Sequence, residues 1–129
     1  MSEPIIYVDH SEIIDGKLKD LEIAVEDLVE LFRLMEPRLI AYNIYFNEDK
    51  KRMTILHVHS DTKSLELHLM TFAPRSPKFK ELIRLKSIDI YGPVSGKVLD
   101  QINQKAAMLG SGEVRLHKLK SGFNRFSIC

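Results

Sequence analysis

The chain has 129 residues, 44% of them hydrophobic and 29% charged, which fits one globular domain over residues 1–129. This composition excludes a disordered, collagen-like or coiled-coil protein, and no apolar run approaches the roughly 18 residues of a transmembrane helix. The net charge of +1 is unevenly spread, with 8 Lys/Arg against 14 Asp/Glu in residues 1–74 and 11 against 4 in residues 75–129.

The first half of the sequence predicts a strand, a long helix and a strand hairpin. A β-branched and aromatic run opens a strand over residues 5–14. Apolar residues then recur at helical spacing over residues 17–36, and Pro37 ends that helix. Strands over residues 39–47 and 52–59, joined by a charged turn, complete the hairpin.

The second half predicts shorter helices and two more strands. Asp61 can cap a short helix, and Pro77 can occupy the first turn of another. A fourth strand follows at residues 87–91, then a helix over residues 98–109 and a fifth strand over residues 113–119.

The core order of strand, helix, strand, strand, helix, strand predicts an α+β fold of the ferredoxin-like βαββαβ type. Residues 5–92 form this core, and residues 93–129 form a C-terminal extension with one helix and one strand. Helices are expected on one face of a four-stranded antiparallel sheet. Successive side chains of a strand point to opposite faces of the sheet, so the residues of each strand divide into two alternating sets, one for each face. The almost wholly apolar set is expected under the helices: Ile6, Val8, Ile40, Tyr42, Ile44, Phe46, Leu56, Val58, Ile88 and Ile90.

The second set mixes apolar side chains with tyrosines, histidines and acids. Its members are Ile5, Tyr7, Asp9, Leu39, Ala41, Asn43, Tyr45, Met53, Ile55, His57, His59, Ser87, Asp89 and Tyr91. A solvated face would carry more Lys, Glu and Thr, and a sealed core would need a partner for every ionisable group. We therefore expect a partly covered face that lines a cavity. Because both crossover helices are assigned to the other face, a second copy is the simplest cover, in a homodimer with facing sheets.

Tyrosine and histidine side chains supply the candidate binding and catalytic groups. Tyr7, Tyr45 and Tyr91, with Asn43, can hold a planar aromatic substrate or stabilise an oxyanion, or can simply pack a dimer interface. His68 lies near the apolar stripe of the short helix. It can take a proton from a phenol or an activated carbon acid, or can bond to backbone or solvent.

Two histidines on one strand are candidate metal ligands. His57 and His59 occupy positions i and i+2, and can share one metal ion if a third ligand comes from Asp9, His68 or Asp89. Alternatively, both line a pocket or an interface without metal. Since nothing in the sequence fixes the third ligand, no metal is expected.

Other classes of protein find no support in the motifs. The single cysteine, Cys129, excludes a disulfide framework or a cysteine zinc site within one chain. The first residues lack the pattern of a signal peptide, so a cytosolic location is expected. GxSxG, P-loop, HExxH and CxxC motifs are absent, and the scattered basic residues predict no nucleic-acid partner.

A family resemblance rests on the strand order, the long first helix, the hairpin and the segment His57-Val58-His59-Ser60-Asp61 followed by Ser64-Leu65-Glu66-Leu67-His68. Over about residues 5–92 the chain resembles the dimeric α+β barrel superfamily, and within it the antibiotic-biosynthesis-monooxygenase-like proteins. That group includes cofactor-independent oxygenases of quinols and polyketides, haem-degrading enzymes and proteins without known activity. The haem-degrading members use an Asn, Trp and His trio; this chain has no Trp, although Asn43 and His68 are available.

The resemblance implies a cofactor-independent monooxygenase that acts on a small planar phenolic or quinol-type substrate. His59 or His68 would serve as general base, while Asn43 and Tyr45 would position the anion that reacts with O₂. Tyr7, His57 and Tyr91 would contact the substrate. The alternative is a non-catalytic dimer that binds an aromatic or haem-like ligand, and a third possibility is a structural subunit with a filled cavity. Neither a cofactor nor a membrane partner is implied.

Overall fold

A five-stranded sheet forms one layer of this computed structural model, which describes residues 3–126 apart from the side chain of Ser111. The strands are β1 (Ile5–Ile13), β2 (Leu39–Phe46), β3 (Arg52–His59), β4 (Ile83–Tyr91) and β5 (Gly110–His117). They lie in the order β2-β3-β1-β4-β5, antiparallel except for the parallel pair β4 and β5. Cys129 lies outside the described residues.

Helices form the second layer. They are α1 (Leu18–Met35), α2 (Thr62–Phe72), α3 (Ser76–Lys80) and α4 (Gly96–Leu109), with a 3₁₀ turn (Ala73–Arg75) between α2 and α3. As predicted, the Asp61 carboxylate caps α2 by accepting the Ser64 backbone N–H at 2.9 Å. Within residues 3–126 no helix is long and apolar enough to cross a membrane. The cytosolic location stays a prediction.

The predicted ferredoxin-like order is confirmed, with two strands that begin earlier than expected. β4 starts at Ile83 rather than at residue 87, and β5 starts at Gly110 rather than at residue 113. Close packing explains the second difference. A Cβ atom on Gly110 would lie 2.6 Å from the carbonyl oxygen of Leu85, so glycine lets the chain leave α4 and pair with β4 at once.

The helices cover the sheet face that carries Tyr7, Asp9 and His57, which corrects the predicted faces of β1 and β3. Tyr7 pairs with His57 on one side and with Ile90 on the other, so these three side chains point the same way. The helix-facing residues of β1 and β3 are buried. The expectation for four residues is therefore wrong, because they lie on the opposite face: Ile6, Val8, Leu56 and Val58.

The predicted faces of β4 and of most of β2 are correct. The helix-facing residues of these strands are Tyr42, Ile44, Phe46, Ile88 and Ile90. Ile40 differs because the register of β2 against β3 shifts between Leu39 and Ala41. Leu39 pairs with His59 and packs against the core, whereas Ile40 is exposed.

One apolar core joins the two parts of the chain between the helices and the sheet. α1 contributes Leu28 and Phe32 to it, while the C-terminal extension contributes Val98, Ile102 and Leu109 from α4. The extension is thus packed into the same interior as the first helix. Its place in the core brings one charged side chain of α4 to the site described below.

The sheet face opposite the helices, which we call the open face, is only partly covered: at one edge, residues of the C-terminal segment 118–126 line a pocket with Ile6 and Tyr91. Ile6, Val8 and Leu56 lie partly exposed on the open face. Asp89 is buried on the same face, where Arg115 donates to its two carboxylate oxygens at 2.7 and 2.8 Å. These hydrogen bonds, with one from His117, hold the pKa of Asp89 well below its usual value.

Candidate functional site

Three histidines meet in the interior between the helices and the sheet. His57 and His59 stand at alternate positions of β3, and His68 faces them from α2. The ring of His68 lies 4.7 Å from that of His57 and 5.1 Å from that of His59, centre to centre. All three side chains are buried, and one ring nitrogen of each lies within 4.8 Å of the other two. We call these residues the histidine cluster.

Each histidine has a polar partner on one ring nitrogen. His57 Nε2 lies 3.3 Å from Asp9 Oδ2, His68 Nδ1 lies 3.1 Å from Glu36 Oε1, and His59 Nδ1 lies 3.0 Å from Ser64 Oγ. An ionised carboxylate only accepts hydrogen bonds. A neutral His57 therefore donates from Nε2 to Asp9, and a neutral His68 donates from Nδ1 to Glu36 when that carboxyl is ionised. The second ring nitrogens of these two histidines then carry lone pairs. Among residues 3–126, Nδ1 of His57 and Nε2 of His59 are buried without a hydrogen-bond partner.

Lys105 of α4 brings a positive charge to the edge of the histidine cluster. Its Nζ donates to Asp9 Oδ2 and to Tyr7 Oη, both at 3.1 Å. The side chains of Lys105 and Asp9 are only 9% and 5% exposed, so this ion pair lies in the interior. Asp9 is therefore shared between an ammonium group and the His57 imidazole.

Burial shapes the protonation of these groups. It lowers the pKa of all three histidines, that of His59 to about 3, because an imidazolium loses its hydration there. Burial also acts to raise the pKa of Asp9, but the Lys105 charge and the His57 hydrogen bond outweigh it and leave that pKa lowered. Within the described part of the chain no Lys or Arg pairs with Glu36, and burial raises its pKa to about 7. The imidazoles are therefore neutral at neutral pH.

A groove between α1 and β2 lies beside Tyr42, which contacts the histidine cluster. This groove has a volume of about 680 Å³ and is open to solvent. A cavity of about 20 Å³, room for one water molecule, lies inside against Asp9, His68 and Lys105. Tyr42 lines both spaces, and its ring packs against those of Phe32, His57 and His68 at 4.9 to 5.5 Å. Tyr42 thus separates the groove from the cluster.

The structure brings together only part of the predicted site. Tyr7 joins the histidine cluster through Lys105, and the Tyr7 and His57 rings lie 4.5 Å apart. Asn43 and Tyr45 are exposed on the far side of β2, at the margin of the groove. Tyr91 is exposed on the open sheet face, stacked on His117. The side chains of Asn43, Tyr45 and Tyr91 therefore do not reach the histidine cluster.

Sequence reasoning missed the roles of Glu36, Tyr42 and Lys105. The signal for Lys105 was available, because it stands three residues after Ile102 and four before Leu109, within the apolar stripe of its helix. A lysine in such a stripe predicts a buried partner. Glu36 follows the last turn of α1, where no periodicity shows that its side chain turns inward.

Comparison with solved structures identifies the fold. MupZ from Pseudomonas fluorescens has a TM-score of 0.76 at 21% identity, over 100% of this chain and 94% of that chain. SnoaB from Streptomyces nogalater, a cofactor-independent oxygenase, has a TM-score of 0.59 at 14% identity, over 71% of this chain and 94% of that one. A protein from Chloroflexus aurantiacus, provisionally named an antibiotic biosynthesis monooxygenase, has a TM-score of 0.57 at 19% identity, over 73% and 96%.

The similarity lies in structure rather than in sequence. No protein-family model and no curated protein sequence matches the chain. The MupZ match spans the whole chain, so it includes the segment that supplies Lys105. The chain has the ferredoxin-like α+β fold of the antibiotic-biosynthesis-monooxygenase-like proteins, as the sequence predicted, and this fold includes cofactor-independent oxygenases.

Proposed function

We propose that the chain is a cofactor-independent monooxygenase that oxidises a small planar phenolic or quinol-type substrate. The observation that carries the proposal is the buried pairing of neutral imidazoles with carboxylates beside a groove, His68 with Glu36 and His57 with Asp9. The fold shared with a cofactor-independent oxygenase supports the reaction class.

His68 is the proton acceptor in this proposal. It lines the interior cavity next to Tyr42, and its Nδ1 is held by Glu36, which leaves Nε2 to take a proton from the substrate. The Glu36 carboxylate would stabilise the imidazolium that forms. Lys105 and Tyr7 replace Asn43 and Tyr45 as the groups that stabilise the substrate anion, because they are the ones that lie beside the histidines.

The substrate supplies all the electrons. Deprotonation gives a phenolate that reacts with O₂ at a ring carbon; one oxygen atom stays on that carbon and the other leaves as water. The product is the quinone, so no external reductant is needed. Tyr42 must turn aside for the substrate ring to pass from the groove to His68, because its ring lies between them.

Replacing His68 with glutamine is expected to lower turnover by about 100- to 10,000-fold, the usual contribution of a general base. Oxygen consumption over a panel of phenols and quinols measures this. The matched control is His10→Gln, since His10 is exposed on the open face and contacts Thr54. Activity that survives replacement of both His59 and His68 would contradict the mechanism.

A binding protein without turnover is the second candidate function. The interior cavity of about 20 Å³ holds no aromatic ring unless Tyr42 moves, which favours a ligand that stays in the outer groove. Such a dimer would bind an aromatic or haem-like ligand. Saturable binding of a phenol without oxygen uptake supports this function over the first.

The face predicted to meet a second copy is covered by helices at β1 and β3, where Tyr7, His57 and His59 are buried. We propose instead that two chains pair through their open sheet faces. The partly exposed apolar side chains of Ile6, Val8 and Leu56 support this, since a second sheet would bury them. Val8→Lys is expected to convert a dimer into a monomer at micromolar concentration in sedimentation velocity. Ile23→Lys, which places the same charge on the exposed side of α1, should leave the dimer intact. A monomeric wild-type chain would contradict the proposal.

A further inference from the structure

One ring nitrogen from each of three histidines converges between the helix and sheet layers. Nearly all buried polar atoms in proteins have a partner, yet within residues 3–126 the buried His57 Nδ1 and His59 Nε2 have none. We infer that His57, His59 and His68 form a binding site for one divalent first-row transition-metal ion, with Zn²⁺ as the reference ion.

The spacing of the cluster suits three ligands of a single ion. One ring nitrogen of each histidine lies within 4.8 Å of a ring nitrogen of the other two. Around a tetrahedral ion at about 2.1 Å from each nitrogen, the nitrogens would lie about 3.4 Å apart. Side-chain rotation must therefore shorten the longest nitrogen–nitrogen distance by at most roughly 1.4 Å. Two ligands come from one rigid strand and the third from α2, which is capped directly after that strand. Three imidazoles are a ligand set that Zn²⁺ accepts, with a further position left open.

The outer partners of the histidines also match a metal site. Metal-bound histidines usually donate their other ring N–H to a carboxylate or another oxygen, which fixes the ring. Here Asp9 contacts Nε2 of His57, and Glu36 contacts Nδ1 of His68. Ser64 Oγ contacts Nδ1 of His59. The nitrogens left for the ion are Nδ1 of His57 and Nε2 of His59 and His68.

The charges around the cluster allow a cation. Lys105 is the nearest positive group, and its ammonium is paired with the Asp9 carboxylate at 3.1 Å. Glu36 adds a second carboxylate on the other side, against His68. Tyr7 and Tyr42 are the remaining titratable side chains that face the rings. The cavity against His68 has room for one water molecule as a further ligand.

This inference goes beyond the proposed function, because the ion would occupy the lone pairs that the proposed base uses. A metal-loaded chain would therefore be an inhibited form of the oxygenase. Metal binding is measured without substrate, whereas the oxygenase is tested by oxygen consumption. A negative result in one experiment therefore does not decide the other.

The experiment titrates Co²⁺ into the full chain after treatment with a chelator, in a Cys129→Ser background that removes the thiol. The expected result is binding of one Co²⁺ per chain, with visible absorption bands that Zn²⁺ displaces. Alanine at His57, His59 or His68 should weaken binding by more than the roughly 10- to 100-fold expected for Glu36→Gln, which removes only an outer partner. His10→Ala and His117→Ala are the matched controls, since both histidines lie away from the cluster.

Circular dichroism shows whether each variant is folded. If an alanine variant fails to fold, the wild-type stoichiometry and the Glu36→Gln affinity decide the question. Absence of stoichiometric Co²⁺ binding to the Cys129→Ser chain would overturn the metal site. Unchanged binding in a folded alanine variant of the histidine cluster or in Glu36→Gln, or loss of binding in the His10 or His117 control, would overturn it as well.

Discussion

Replacing Asp9 with alanine is expected to lower the free energy of unfolding by about 3 to 5 kcal/mol, as is usual when one partner of a buried ion pair is removed. The Asp9 carboxylate accepts hydrogen bonds from Lys105 and His57 in the interior. Alanine would leave the buried ammonium without a counter-charge and the His57 Nε2–H without an acceptor. Urea unfolding at pH 7 measures the loss.

A matched pair on the surface provides the control. Lys86 and Glu12 lie 3.1 Å apart with both side chains about half exposed, so Glu12→Ala should cost at most about 1 kcal/mol. The double variant Asp9→Leu/Lys105→Met removes both interior charges. It should lower the free energy of unfolding by less than Asp9→Ala alone, because no unpaired charge is left. If Asp9→Ala costs no more than Glu12→Ala, the interior ion pair does not have the role described.

Acidification from pH 7 to pH 5 is expected to destabilise the protein through the histidine cluster, and His59 alone accounts for about 2 kcal/mol. Its pKa is about 3 in the folded chain, below the ordinary value of 6.5, because it is buried. The unfolded chain binds the proton first as the pH falls, so stability present above pH 6.5 is lost on the way to pH 3. The lowered pKa values of His57 and His68 act in the same direction.

Glu36 opposes this effect. Burial raises its folded pKa from 4.5 to about 7, so the folded chain binds that proton first and stability increases as the pH falls from 7 to 4.5.

The comparison of His59→Gln with the wild type isolates the histidine contribution. Between pH 7 and pH 5, urea unfolding should show a loss about 2 kcal/mol smaller in the variant than in the wild type. Equal losses in wild type and His59→Gln would contradict the assignment.

The sequence predicted the order of the elements because each has a strong local signal. α1 follows from its apolar spacing and from Pro37, and the cap of α2 follows from Asp61. The start of β5 at Gly110 was missed because it depends on how closely the strand approaches Leu85, which is a tertiary fact.

The faces of β1 and β3 could not be assigned from apolar content alone. The histidine cluster makes the helix-facing set look polar, while Val8 and Leu56 make the open face look apolar. The pairing of Tyr7 with Ile90 shows which face of β1 lies under the helices. This register depends on both strands and cannot be predicted from the sequence of either one alone. The sequence did identify His57, His59 and His68 as candidate site residues. Only the structure shows that their side chains meet, because this depends on how α2 packs on the sheet.

The joining of Asp9 to Lys105 has a consequence for how the protein is made. The two residues are 96 positions apart, one on the first strand and the other on the last helix. A growing chain on the ribosome exposes the Asp9 carboxylate 96 residues before the Lys105 ammonium that neutralises it. The layer between sheet and helices can therefore close only after the last helix has been made, and until then the imidazoles stay hydrated.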